Sequence, residues 1–336
     1  MRVLKYIGIR LLYIIPVMLG VTILVFLISH TIPGDPASLI AGPKASKATV
    51  ERIRHQLGLD KPVYFQYLIY LKGIVKGDFG TSIRTGVPVA EDLKKYFPAT
   101  LELTLFAMLF AIGAGIPLGI ISAIKRNKWP DHISRTFSIF GVSMPVFWLG
   151  LLLLLVFYSK LQILPGSGRL GTILSPPHHI TGMYTIDALL TGNWPVFISA
   201  LTHLILPAFC LGYVYLAIIT RITRSSMLEV LNKEYIETAR ANGIPEKSII
   251  LRHALKNALI PVVTIIGISF GELMGGAILT ETIFSFPGVG KYVVESINYL
   301  DFPAIMGFTI VVTFVYVFMN LLVDVVYAFL DPQIRY

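Results

Sequence analysis

RITRSSMLEVLNKEYIETARANGIPEKSIILRHALKNALIP, residues Arg221–Pro261, is polar, helix-patterned sequence set between two long apolar segments. Leu228, Leu231, Tyr235 and Ala239 recur at three- and four-residue steps, while Glu229, Lys233, Glu237 and Arg240 fall on the opposite side. That is the pattern of an amphipathic helix. Glu229 stands four residues before Lys233, the favoured order for an ion pair along a helix. Such a pair adds only about 0.3 kcal/mol, so packing against a neighbour has to hold the helix in place. Gly243 suits the left-handed residue that ends a helix and Pro245 the first turn of another, which makes Asn242–Ile244 a sharp corner. The second helix carries Ile250, Ala254, Leu255, Ala258 and Leu259 on one side and Lys247, Arg252, Lys256 and Asn257 on the other, then runs into the apolar stretch beyond Pro261. Spacing leaves two readings open: a docking element for a cytoplasmic partner, or an ordinary cytosolic hairpin between membrane spans.

Outward from this hairpin, composition places the chain in a bilayer. Hydrophobic residues make up 55% and charged residues 14% of the 336 residues, and the mean hydropathy is +0.73. Soluble domains carry about 25% charged residues. The formal net charge of +9 invites a nucleic-acid reading. The basic residues, however, sit mostly in short loops beside apolar runs, with no aromatic-interleaved basic patch, so they read as orientation signals. The single Cys210 lies in an apolar stretch and founds neither an intramolecular disulfide nor a metal site.

In chain order, residues 1–30 form the N-terminus and a first span, with Arg2, Lys5 and Arg10 ahead of an apolar run too long for a signal peptide and lacking a small-x-small cleavage site. Residues 31–98 read as an external subdomain, and residues 99–336 as a five-helix core with spans at about 101–124, 136–158, 199–219, 259–280 and 304–330. The expected fold is therefore an all-α integral membrane protein with six transmembrane helices. An inside N-terminus puts most Lys and Arg on one side, including Lys125–Arg135, the 221–258 loop and Arg335. The two short external loops then hold only Lys160, Arg169 and Lys291. The 31–98 segment exceeds the roughly 60 residues to which the charge rule applies.

Several motif-like strings fail on context. Gly166-x-Gly168-x-x-Gly171 lacks the strand–turn–helix scaffold of a dinucleotide site. Gly288-x-Gly290-Lys291 has Ser285 where a phosphate loop needs its first glycine and Tyr292 where it needs Ser or Thr. His178-His179 has no accompanying ligands and reads as a solvated pair. Glu272, inside the fifth span, has to face the bundle or an aqueous path. It is either a pathway residue meeting a cationic group of the cargo or a carboxylate paired with a partner subunit. Asn320 and Asp324, one helical turn apart, are expected to bond across helices.

Glu237-Thr238-Ala239 followed by three residues and Gly243 resembles the EAA loop of ABC importer permeases. The flanking words TRSSMLEVL, YIETARANGI and LRHALKNALIPVVT, together with IPGDP, SMPVFW, ETIFSFPGVG and DPQIR, resemble the B-type permease subunit of the oligopeptide/dipeptide importer family over nearly the whole chain. Thr238 replaces the general motif's alanine, and its later Leu-Pro appears downstream as Ile260-Pro261, both in keeping with the peptide subfamily. The resemblance implies a type I ABC importer permease fold in a bacterial or archaeal cytoplasmic membrane, with both termini cytoplasmic. It implies that Glu237, Thr238, Ala239, Arg240, Gly243, Ile244 and Pro245 contact an ATPase, and it puts Ser143 and Met144 beside Glu272 as translocation-pathway candidates. The implied partners are a second related permease in a heterodimer, two cytoplasmic ABC ATPases, an external peptide-binding protein and membrane lipid. ATP and Mg are expected in the ATPases and no cofactor in this chain. The cargo stays open among a dipeptide, a longer peptide, glutathione, a metal chelate and nickel. An intramembrane enzyme is disfavoured because no HExxH or GxSxG word appears. An ion-coupled secondary transporter using Glu272 is the remaining rival.

Overall fold

The computed structural model describes residues 2–31, 36–42, 45–56 and 58–330. In chain order the helices are α1 (Arg2–Thr31), α2 (Pro36–Ala41), α3 (Lys47–Gln56), α4 (Val63–Val75), α5 (Val89–Ile124), α6 (Trp129–Ser143) and α7 (Val146–Leu153). There follow α8 (Tyr184–Leu190), α9 (Trp194–Leu231), α10 (Glu234–Ala241), α11 (Glu246–Ser248), α12 (Leu255–Gly276), α13 (Ile278–Ile283), α14 (Val289–Asn298) and α15 (Phe302–Leu330). Among the described residues the only β pairing is an isolated bridge between Thr81 and Pro88. Helices α1, α5, α9, α12 and α15 contain segments long and apolar enough to cross a membrane, and α6 with α7 adds a sixth if the bent pair is one crossing. This is the all-α, multi-span architecture expected from composition.

Over the third expected span, 136–158, α6 and the α7 helix, which continues as a π turn over Leu154–Lys160, meet at 106°. Pro145 disfavours a helical conformation for the residue before it, and Met144 is extended, with φ −84 and ψ 124. Pro117, Pro207 and Pro261 instead remain inside their helices.

The chain divides into two compact units. Among the described residues the first holds 98–291 with 2–8 and 315–330. Its centre is α9, which packs against α6, α7, α8 and α12. Glycines let α5 approach α9 closely. A Cβ on Gly212 would lie 2.5 Å from the Ala107 carbonyl oxygen, and one on Gly119 2.8 Å from that of Thr220. Small residues at helix contacts are how bundles in lipid gain packing without a hydrophobic drive between helices. The stretch between α7 and α9 is ordered by two carboxylates. Asp187 accepts hydrogen bonds from the backbone N–H groups of Ile180, Thr181 and Gly182. Glu102 accepts from Arg169 Nη2 at 2.5 Å and from the backbone and hydroxyl of Thr185, each at 2.7 Å.

The second unit comprises residues 9–97 and 292–314. Phe26 of α1 is buried against Tyr67 and Tyr70 of α4. The turn before α5 is fastened by Ser82, whose hydroxyl donates to Asp301 at 2.5 Å, and by Arg84, paired with Glu295 at 2.8 Å. Gly307 lets α15 approach Val89 of α5. Residues of the 31–98 segment up to Phe97 thus cluster with the rest of α1 from Ile9 and with residues 292–314.

Candidate functional site

The polar stretch between α9 and α12 forms a corner with one buried and one open face. The expected first amphipathic helix is divided: α9 continues to Leu231, and after Asn232 and Lys233 a new helix, α10, begins. The Glu229–Lys233 pair forms at 3.2 Å. On α10, Ile236 and Ala239 are buried in one cluster with Ala123 of α5, Met227 and Val230 of α9, Ile249 and Ala254 at the ends of a second π turn, Ile249–Ala254, and Ala258 of α12. Glu237, Thr238 and Arg240 point away from that cluster and are exposed.

The corner has the geometry expected of Asn242–Ile244. Gly243 adopts φ +73, its N–H donates to the Arg240 carbonyl at 3.0 Å, and the Ile244 N–H donates to the Ala239 carbonyl at 3.2 Å. This pair of bonds closes a helix in the Schellman pattern, with Ile244 packed against the same apolar cluster. Across the corner Arg240 makes a two-pronged pair with Glu246, Nε to Oε2 at 3.2 Å and Nη2 to Oε1 at 2.9 Å. The hydrogen bonds from Arg240 hold the Glu246 carboxyl below the usual carboxylate range. Asn257 Nδ2 donates to the Tyr235 hydroxyl at 2.8 Å, tying α10 to the start of α12. Glu237, Thr238, Ala239, Arg240, Gly243, Ile244 and Pro245 are therefore brought together as one small module.

The pathway candidates are not brought together. Glu272 lies on α12 beside Tyr215 of α9 and is exposed in this chain. Ser143 ends α6 and lines a cavity between α6 and α9, whereas Met144 packs into an apolar cluster with Leu149, Leu153, Tyr213 and Phe284. The Asp324 side chain and DPQIR from residue 331 lie outside the described residues.

Glu281 emerges instead as a buried polar centre that sequence reading passed over. Its carboxylate accepts hydrogen bonds from the Thr100 hydroxyl at 2.5 Å and the Lys291 N–H at 2.9 Å, while Thr100 also accepts from the Val289 N–H at 2.8 Å. Gly288 and Gly290 have no room for a Cβ because the carboxylate presses on them, which gives the P-loop-like Gly288-x-Gly290-Lys291 a packing explanation. Burial lifts the Glu281 carboxyl to about 7, against the hydrogen bonds that lower it. A carboxyl raised from its unfolded value binds more protons in the folded state. Its contribution to stability is therefore full below about 4.5 and declines as pH rises through about 7. The loss is expected to reach roughly 3 kcal/mol. Thermal stability of the detergent-solubilised protein between pH 5 and 8 checks this: the wild type falls as pH rises, and Glu281→Gln flattens the slope. An equal slope in both would show that Glu281 does not titrate in this window.

A helical, many-span chain with a polar module seated between spans is the architecture of a membrane transport subunit. The chain belongs to the binding-protein-dependent transport system inner membrane component family, whose model matches residues 115–336. The companion model for the N-terminal part of such membrane components matches residues 3–104. The chain is 56% identical over 318 residues to a probable D,D-dipeptide transport system permease protein of Escherichia coli (strain K12), covering 95% of this chain and 94% of that one. It is 47% identical over 327 residues to a dipeptide transport system permease protein of Alkalihalophilus pseudofirmus, covering 97% and 98%. It is 41% identical over 333 residues to the glutathione transport system permease protein of Escherichia coli (strain K12), covering 99% of each.

Proposed function

We propose that this chain is one permease subunit of an ATP-driven importer that carries dipeptides or other short peptides across the cytoplasmic membrane. Separate ATPases couple to it through the 221–258 loop. The observation that carries the coupling reading is the seating of α10: Ile236 and Ala239 share one apolar cluster with residues of α5, α9 and α12. A push on the exposed face formed by Glu237, Thr238 and Arg240 therefore passes into three membrane helices at once, the rigid-body transmission that alternating access needs. In this reading both termini and α10 face the cytoplasm, a second permease completes the pathway, and an external binding protein delivers the cargo. ATP and Mg act in the ATPases. Support for a peptide cargo comes from the names of the relatives, and the glutathione permease among them fits the same class, since glutathione is itself a short peptide.

The test is copurification of the tagged chain with its candidate ATPases from membranes, wild type against Gly243→Pro. Proline cannot adopt φ +73 and lacks the N–H that bonds Arg240. The expected result is loss of the ATPases at least tenfold with the chain still in the membrane. Uptake that follows a proton or sodium gradient, with no ATPase ever retained, would instead favour an ion-coupled transporter.

A further inference from the structure

We propose that the cavity between α6 and α9 is an oxyanion subsite that takes the free carboxylate of a peptide in transit. This rests on the peptide-importer reading and deepens it. The cavity has a volume of about 460 Å³, and its walls include Ser134, Arg135 and Ser138 from α6 and Thr220, Arg221 and Arg224 from α9.

Three arginines meet here, and only one is neutralised. Arg224 binds Asp131 through Nε at 2.7 Å and Nη2 at 2.9 Å. Asp131 also accepts from the Ser122 hydroxyl at 2.6 Å and the Asn127 N–H at 2.9 Å, so that carboxylate is fully engaged. Arg135 and Arg221 are exposed and have no hydrogen-bond or ion-pair partner among the described residues. No acidic side chain lines the cavity, which leaves two guanidinium groups uncompensated at one mouth. Guanidinium forks match carboxylates in shape as well as charge.

A second observation points the same way. Ser134 of α6 and Thr220 of α9, 5% and 3% exposed, are lining residues whose enclosed hydroxyls have no hydrogen-bond partner. Buried hydroxyls ordinarily find a partner, and these two orphans, one on each helix, are unspent donors beside the cavity. The buried stripe of α6 explains how the site arises. Asp131, Ser134, Ser138 and Gly141 are small or polar, and Gly141 brings α6 so near α9 that a Cβ would lie 2.7 Å from that of Ala217.

The peptide is chosen as occupant on the charge of the walls, two unpaired guanidinium groups with no acidic side chain, while Ile139, Val142 and Ala217 add an apolar side to the cavity. On the orientation proposed above the cavity opens toward the cytoplasm beside the basic loop at Lys125–Lys128, as a last polar station before release.

The experiment uses the assembled transporter in proteoliposomes with its loaded binding protein and a dipeptide bearing a diazirine side chain. The expected result is photolabelling within residues 134–143 or 217–225. In the double variant Arg135→Gln with Arg221→Gln, labelling and uptake fall about tenfold or more. Stimulation of ATP hydrolysis by the loaded binding protein persists, and Arg135→Lys with Arg221→Lys recovers most of the uptake. Labelling confined to other segments, or wild-type uptake in the double Gln variant, would overturn the subsite. Native mass spectrometry supplies the lipid arm. An anionic phospholipid retained by wild type and lost from the double Gln variant, with dipeptide labelling unchanged, would replace the peptide as occupant. A wild-type complex that takes up no dipeptide sinks the proposed cargo itself, whereas uptake that ignores both arginines sinks only this site.

Discussion

Arg169→Met is expected to cost about 3–5 kcal/mol of stability, because it removes one member of a buried ion pair and leaves the other uncompensated. Arg169 and Glu102 are 7% and 2% exposed, and their closest atoms are 2.5 Å apart. The guanidinium also lies 3.7 Å over the Tyr184 ring and donates to the Gly182 carbonyl at 3.0 Å, so one side chain ties the 166–171 turn, the 182–185 turn and α5 together. Methionine keeps much of the apolar stem and loses every one of those polar ties. The measurement is loss of monodisperse protein on heating in detergent. The double variant Glu102→Gln with Arg169→Met should recover a large part of the loss, since an uncharged amide no longer needs a cation. If the single and double variants melt together, the pair carries no coupling and the ordering of this stretch has another source.

Ile236→Asp is expected to abolish coupling between ATP hydrolysis and transport. Ile236 is 0% exposed, and a carboxylate in that cluster is destabilising by about 4 kcal/mol or more. Helix α10 is short, and its ties to the membrane helices are Ile236, Ala239 and the Tyr235–Asn257 hydrogen bond, since the Arg240–Glu246 pair stays within the exposed corner, so it unseats before the membrane helices do. The readout is ATP hydrolysis by the assembled complex, with and without loaded binding protein. Wild type is stimulated, Ile236→Asp is not, and the near-isosteric Ile236→Leu costs less than about 1.5 kcal/mol and stays stimulated. A fully stimulated Ile236→Asp complex would show that α10 does not transmit the signal.

Both predictions depend on partners far apart in the chain, and this marks how much of the molecule is legible in one dimension. Apolar runs announce membrane helices by length and composition, which need no knowledge of neighbours. The Gly243 corner was readable for the same reason, since a left-handed residue and the two hydrogen bonds around it involve only Ala239 to Ile244. The Glu229–Lys233 pair is likewise a matter of helical spacing. The break at Met144 had a local signal in Pro145, yet Pro117, Pro207 and Pro261 carry the same signal and stay helical. Proline alone does not separate a kink from a break; the packing of α7 against α9 and α13 accompanies the outcome.

The polar centres were illegible because their members are distant. Glu102 meets Arg169, Asp131 meets Arg224, and Glu281 meets Thr100 across 67, 93 and 181 positions of sequence. Attention to Glu272, the carboxylate most visible inside an apolar run, missed Glu281, whose burial shows only when α5 and the residues before α14 close over it. In Gly166-x-Gly168-x-x-Gly171 the decisive residue proved to be Arg169, between the glycines, and it serves an ion pair. Hydropathy and short-range spacing thus account for the spans, the basic loops and the Gly243 corner. Three-dimensional packing alone selects which charges are paired and which, like Arg135 and Arg221, stand open to a ligand, because an ion pair is a contact in space that no local pattern encodes.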